Sequence, residues 1–233
     1  MNFFFPSPLT REFFNRENRI AIAYLSKMPQ LITPQEITLR ILKQTTGLQP
    51  SPSRQFFPEW TQECPSLSDR DRETLDRVKT NFSELMEDPP MLENSVKMVV
   101  LAPLLDLAGF YRRPFRLETE TSIAIELQDQ DILIQGRIDI LVLKDRLWLA
   151  VIESKRSDFA ATRALPQTLA YMLGNPDKEH PTFGMITNGS EFLFLKTHYT
   201  PNPQYATSRL LSLINPENEL YEVLAILKHL ARL

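Results

Sequence analysis

The sequence predicts an α/β fold: a mixed central sheet flanked by helices, preceded by an α-helical N-terminal extension. Three observations lead there. The apolar period along the second part of the chain changes in the order α-β-β-β-α-β. The run Leu147 to Ile152 is almost unbroken in apolar residues, as a central strand covered on both faces requires. The stretch Thr182 to Lys196 reads as a hairpin turning at Asn188-Gly189.

Residues 1–66 form the expected extension and connector, and 67–233 the α/β domain. In the extension, Thr33-Pro34-Gln35-Glu36 combines a capping hydroxyl, a proline at the first helical position and a reciprocal glutamate ahead of Ile37, Ile41 and Leu42. That helix should stop near Gly47. Pro50, Pro52, Pro58 and Pro65 mark a connector with little periodicity. Leu67, Leu75, Val78, Phe82 and Leu85 then recur at helical spacing until Pro89-Pro90. A second apolar helix runs from Glu93 to Gly109, where Pro103 should kink or divide it and Gly109 should cap it. Strands follow at Ser122 to Leu127, Ile132 to Leu143 and Leu147 to Glu153. A short helix is expected from Pro166 to Gly174. Asn215-Pro216-Glu217 opens a closing helix with Leu220, Val223, Leu224, Leu227 and Leu230 inward.

Composition narrows the function. An apolar fraction of 42% beside 24% charged residues is ordinary for a globular protein, and no run approaches a membrane-spanning helix. The N-terminus lacks the basic region and apolar core of a signal peptide, so a cytoplasmic location is expected. One cysteine, Cys64, and three scattered histidines, His180, His198 and His229, do not make a structural zinc site. There is no Gly-rich phosphate loop followed by Lys-Ser or Lys-Thr. A net charge of −3 means that any nucleic-acid contact rests on a local basic patch. Arg112, Arg113 and Arg116, interleaved with Tyr111 and Phe115, are the candidate, although an arginine cluster in a loop is also ordinary solvated surface.

The acidic residues carry more information. Glu153-Ser154-Lys155 alone is weak, since 29 acidic residues and nine lysines give roughly one acid-x-Lys match by chance. Its position matters more: Glu153 ends an apolar strand, where an ionised carboxylate loses hydration unless a cation compensates. Alternation puts Glu153 and Lys155 on one face. If Lys144, Asp145 and Arg146 form a three-residue turn, Leu143 pairs with Leu147 and Asp139 with Val151, so Asp139 shares that face and one metal ion can bridge the two acids. A shorter turn sends Asp139 to the opposite face unless a bulge intervenes. From the residues alone, a Glu153–Lys155 ion pair with Asp139 answered by Arg137 or Arg156 accounts for the pattern equally well.

With Gly136-x-x-Asp139, Glu153-x-Lys155 and Gln167-x-x-x-Tyr171 in that order, the last starting twelve residues after the lysine, the chain resembles a known family. It is similar, over roughly Glu93 to Lys196, to the nuclease domain at the N-terminus of type I restriction enzyme R subunits, within the PD-(D/E)XK superfamily. Glu93, Pro103-Leu104-Leu105 before Gly109-Phe110, and Thr187-Asn188-Gly189 also look similar. Residues before about Lys79 carry no identified resemblance, and Ile138 stands where the superfamily's name places a proline.

The resemblance implies a restriction-endonuclease-like core and Mg²⁺- or Mn²⁺-dependent cleavage of DNA in restriction or defence. It implies Asp139 and Glu153 as ligands of the divalent cation, Lys155 acting on the attacking water, Gln167 and Tyr171 holding the substrate backbone or bracing the site, and Glu93 as an accessory acid. The chemistry suits these residue types, because an oxygen-ligated Mg²⁺ supplies both a hydroxide at neutral pH and a counter-charge for the developing phosphorane. An R subunit couples its nuclease to an ATP-driven motor, and that motor's motif is absent from these residues, so separate motor or restriction-system subunits are expected partners. A non-catalytic DNA-binding module, an interaction subunit, a nuclease acting on RNA and a homo-oligomer remain open alternatives.

Overall fold

The computed structural model describes residues 30–33, 36–62, 64–87, 93–127, 132–144, 147–153, 161–199 and 202–233. Among these, nine strands form one mixed sheet: β1 (Gln30–Ile32), β2 (Gln49–Pro50), β3 (Arg116–Leu127), β4 (Ile132–Lys144), β5 (Leu147–Glu153), β6 (Thr182–Thr187), β7 (Glu191–His198), β8 (Gln204–Thr207) and β9 (Leu211–Ser212). The helices are α1 (Leu39–Thr46), α2 (Asp69–Leu85), α3 (Glu93–Val96), α4 (Ala102–Ala108), α5 (Leu165–Leu173) and α6 (Leu220–Leu230). The sheet is mixed because β5 and β6 run parallel while β4–β5, β6–β7 and β7–β8 are antiparallel. This is the expected restriction-endonuclease-like α/β architecture.

Local chemistry sets the helix ends. The Thr33 N–H and hydroxyl both donate to the Glu36 carboxylate, at 2.9 and 2.7 Å, and the Glu36 N–H bonds the Thr33 carbonyl, so only one side of the expected capping box forms and it closes a single turn. The helix proper starts later, where the Thr38 hydroxyl accepts from the Ile41 N–H, and it ends at Gly47 with φ of 72°. A capping box between Ser68 and Asp71 opens α2. Gly109, at φ 86°, ends α4.

Each face of the sheet has its own core. One contains Phe82, Val96, Val100, Leu101, Ile140, Val142, Leu149, Met185 and the inner face of α6. The other contains Ile37, Leu42, Leu48, Ile134, Ile138, Leu141, Ile186 and most of α5. Residues 37–60 are therefore built into the same body as the rest: Phe57 packs in the first core, and β2 pairs with β8. The short strands β1, β2, β8 and β9 lie in segments expected to be helix, connector or loop.

Two features of β4 correct the expected geometry. The turn after it has two residues, since Lys144 pairs with Leu147 and Ile140 with Val151, one position off the expected register. Lys144 stays in the strand because its ammonium donates to the Ala231 carbonyl at 3.1 Å and lies 5.3 Å from the Phe115 ring centre. With this register, strict alternation would turn Asp139 away from the face of Ile140. The strand does not alternate strictly. Ile134 and Ile138 share a core with Leu141, whereas Ile140 and Val142 lie in the other. The facing inverts between Ile138 and Ile140, at Asp139. Pairs on either side, Thr121↔Ile138 and Thr119↔Ile140, keep equal residue counts, so both strands turn over together with no inserted residue. Across from Asp139, Glu120 takes φ of 52°, a conformation rare for a residue with a side chain.

Candidate active site

Asp139 occupies a gap in the sheet. β3 follows one edge of β4 along nearly its full length, while β1 and β5 share the other, at residues 132–134 and 140–144. Between them, residues 135–139 have no strand partner on that edge among the described residues. The Arg137 N–H donates there to the hydroxyl of Tyr171, at 3.0 Å, and the Gln167 amide donates to the same hydroxyl at 3.3 Å. Tyr171 is 1% exposed, and burial raises its phenol above the usual value; Asp139 nearby adds to the rise. Gln167 and Tyr171 thus brace the β4 backbone two residues before Asp139.

The opposite wall is the helical segment from Glu93 to Ala108. Its middle, Lys97–Leu101, is a π turn in which the Ala102 N–H bonds the Lys97 carbonyl. Pro103 explains the expected break, because its ring displaces the carbonyl one α turn back and it has no N–H to give. The Lys97 ammonium stands 4.0 Å from an Asp139 carboxylate oxygen, with the side chains 28% and 25% exposed. Lys97 is the site residue that motif reading misses: one lysine on an amphipathic helix has no spacing signature.

The floor is the carboxyl end of the parallel pair β5–β6, a common ligand-binding position in α/β sheets. Glu153 ends β5 in register with Thr187. The Thr187 hydroxyl accepts from the Gly189 N–H at 3.0 Å, and the Asn188 side-chain oxygen accepts from the Ser190 N–H, the Ser190 hydroxyl and the Glu191 N–H. Gly189 has φ of 92°, and a Cβ there would lie 2.7 Å from Val96. The Thr187-Asn188-Gly189 turn is thereby locked against the helix that carries Lys97.

Gln167 and Tyr171 therefore meet at the β4 backbone two residues before Asp139, while Glu153 ends β5 beside it and Glu93 begins the wall helix. The side chains of Glu93 and Glu153, and all of Lys155, lie outside the described residues. Among the described residues, no three His, Cys, Asp or Glu side chains group to hold a metal. Arg112, Arg113 and Arg116 are exposed and are not brought to Asp139. Arg116 pairs with Leu143, about 13 Å of strand from Asp139, and its guanidinium bonds Glu118 at 2.9 Å. No helix among the described residues is long and apolar enough to cross a membrane.

A family model described as type I restriction enzyme R protein N terminus matches residues 35–203. The match begins well before Lys79, so it takes in α1, β2 and α2 as well as the motif-bearing region. No curated protein matches the chain.

Proposed function

Because this chain belongs to the family of type I restriction enzyme R protein N termini, the PD-(D/E)XK nuclease domain of those subunits, we propose that it is a divalent-metal-dependent DNA endonuclease of restriction or defence type. It would work in the cytoplasm with DNA and with a separate motor or other restriction-system subunits. One observation carries the reading. Asp139, three-quarters buried, sits where β4 lacks a strand partner, beside the carboxyl ends of β5 and β6, and a cationic side chain is already drawn to it.

The donor chemistry fits a hard cation, since carboxylate oxygens are the ligands Mg²⁺ and Mn²⁺ take. Asp139 and Glu153 would hold it. A cation held by those two carboxylates would supply a hydroxide at neutral pH and offset charge on the phosphate. The chain's own residues do the rest. Tyr171 and Gln167 hold the β4 backbone so that Asp139 keeps its place. Lys155 orients the attacking water and stabilises developing charge; a lysine among carboxylates keeps its proton, which makes it a poor free base. Glu93 is assigned as an accessory acid.

The test is cleavage of several DNA forms by purified protein in Mg²⁺ and Mn²⁺. Lys155→Ala should retain folding and metal binding and lose at least about a hundredfold in rate, the scale of removing a positioned charge. Wild type and Lys155→Ala nicking DNA equally would assign the activity to a contaminant. Salt-sensitive DNA binding without cutting would favour a non-catalytic module.

A further inference from the structure

The wall-helix side chain that meets Asp139 stands at the start of the π turn. In an unbroken α-helix, the Ala102 N–H would bond the carbonyl of Met98, and the inserted residue moves that role to Lys97. Met98 is instead 74% exposed. The helix cannot easily rotate back. Val96 is buried against Gly189, Val100 and Leu101 are in the core, and Pro103 fixes the break from the other side. Three restraints thus hold one lysine over one aspartate, at the point where β4 changes its facing.

We propose that Lys97 is a positioning residue that serves as the resident counter-cation of Asp139: it holds the carboxylate in the ladder gap and gives way when a divalent cation takes it. This rests on the metal-dependent reading of the site. The chemistry is a competition. The Asp139 carboxylate, largely withdrawn from water, needs a positive neighbour in either state. Lys97 supplies it before loading, at a distance where the attraction is real but weak enough to be exchanged. Released, its ammonium remains beside the site, positioned to meet a phosphate oxygen.

Competition and plain structural support predict opposite signs. The experiment is calorimetric titration of the full chain with Mn²⁺ and with Mg²⁺, for wild type, Lys97→Met, Lys97→Gln, Lys97→Arg and Asp139→Asn, with folding checked by circular dichroism. Lys97→Met and Lys97→Gln should melt at lower temperature without metal and bind it about fivefold more tightly, the factor that one charge at 4.0 Å contributes in a high dielectric. Lys97→Arg should match wild type. Metal binding unchanged or weakened in both neutral variants, while Asp139→Asn abolishes it, would overturn the counter-cation role and leave the metal site standing. Asp139→Asn binding as tightly as wild type would overturn the metal reading itself. The two neutral variants differ in polarity, so loss of folding in one leaves the other to decide.

Discussion

At Arg137 a phenol stands in for a missing strand. Tyr171→Phe would take the acceptor from a partly buried backbone N–H, which costs about 0.5–1.5 kcal/mol. Urea denaturation should read that loss, and hydrogen exchange should show the Arg137 amide changing from slow to fast while the β4–β5 amides stay protected. An unchanged Arg137 rate would mean that Tyr171 does not brace the strand. Gly189 makes a second residue-scale case. Gly189→Ala meets both the positive φ and the Val96 contact, so a loss of more than about 1 kcal/mol is expected. Val96→Ala added to it should recover only the steric part, which a double-mutant cycle separates from the backbone part.

Between elements, α2 and α6 are held by charge as well as by their apolar faces. Asp71 accepts from the Lys228 ammonium and from the Ser68 N–H and hydroxyl. Burial pushes its carboxyl up, but these bonds outweigh it and hold the group below the ordinary 3.8. A depressed folded value means that the stabilisation is present above pH 3.8 and is lost as pH falls through the lower folded value. The melting temperature should therefore drop in that acid window, and Asp71→Asn should flatten the drop while costing about 1–2 kcal/mol at neutral pH. An equally steep acid limb in the variant would assign the effect to other carboxylates. At this scale the sequence is most legible. The central strands, the α2 helix and the closing helix have long apolar periods, although Asn215-Pro216-Glu217 does not open the closing helix, which starts at Leu220 with no side-chain cap. β1, β2, β8 and β9 are two to four residues each, too short to show a period, and Pro50 reads as a breaker although it ends an edge strand. The candidate site is legible in its residue types through the family motif, but its geometry is not. The expected three-residue turn misses the register by one position, and no local pattern announces that β4 turns over at Asp139. Lys97 is hidden for a related reason, because no local pattern announces the π turn from which it reaches Asp139.

Across the whole molecule, the chain from β1 to β2 spans residues 33–48, yet these strands pair at distant places, Gln30 with Ile132 and Gln49 with Gln204. Between them Ile37 and, in α1, Leu42 lie on the core that contains Tyr171. The segment is a strap fastened at both ends to partners far along the chain, and that has a kinetic consequence. Contacts of such high sequence separation pay the largest loop-closure entropy, so they should form after the β4–β7 sheet has assembled. Leu42→Ala, in a fully buried position, should cost about 2–5 kcal/mol. If the strap docks late, nearly all of that loss appears as faster unfolding, with the refolding arm of the chevron unmoved. A slowed refolding arm would instead place the strap in the nucleus. A late strap also makes release of α1 a low-energy opening of the native state, which uncovers the α5 side of the brace behind Asp139 without melting the sheet.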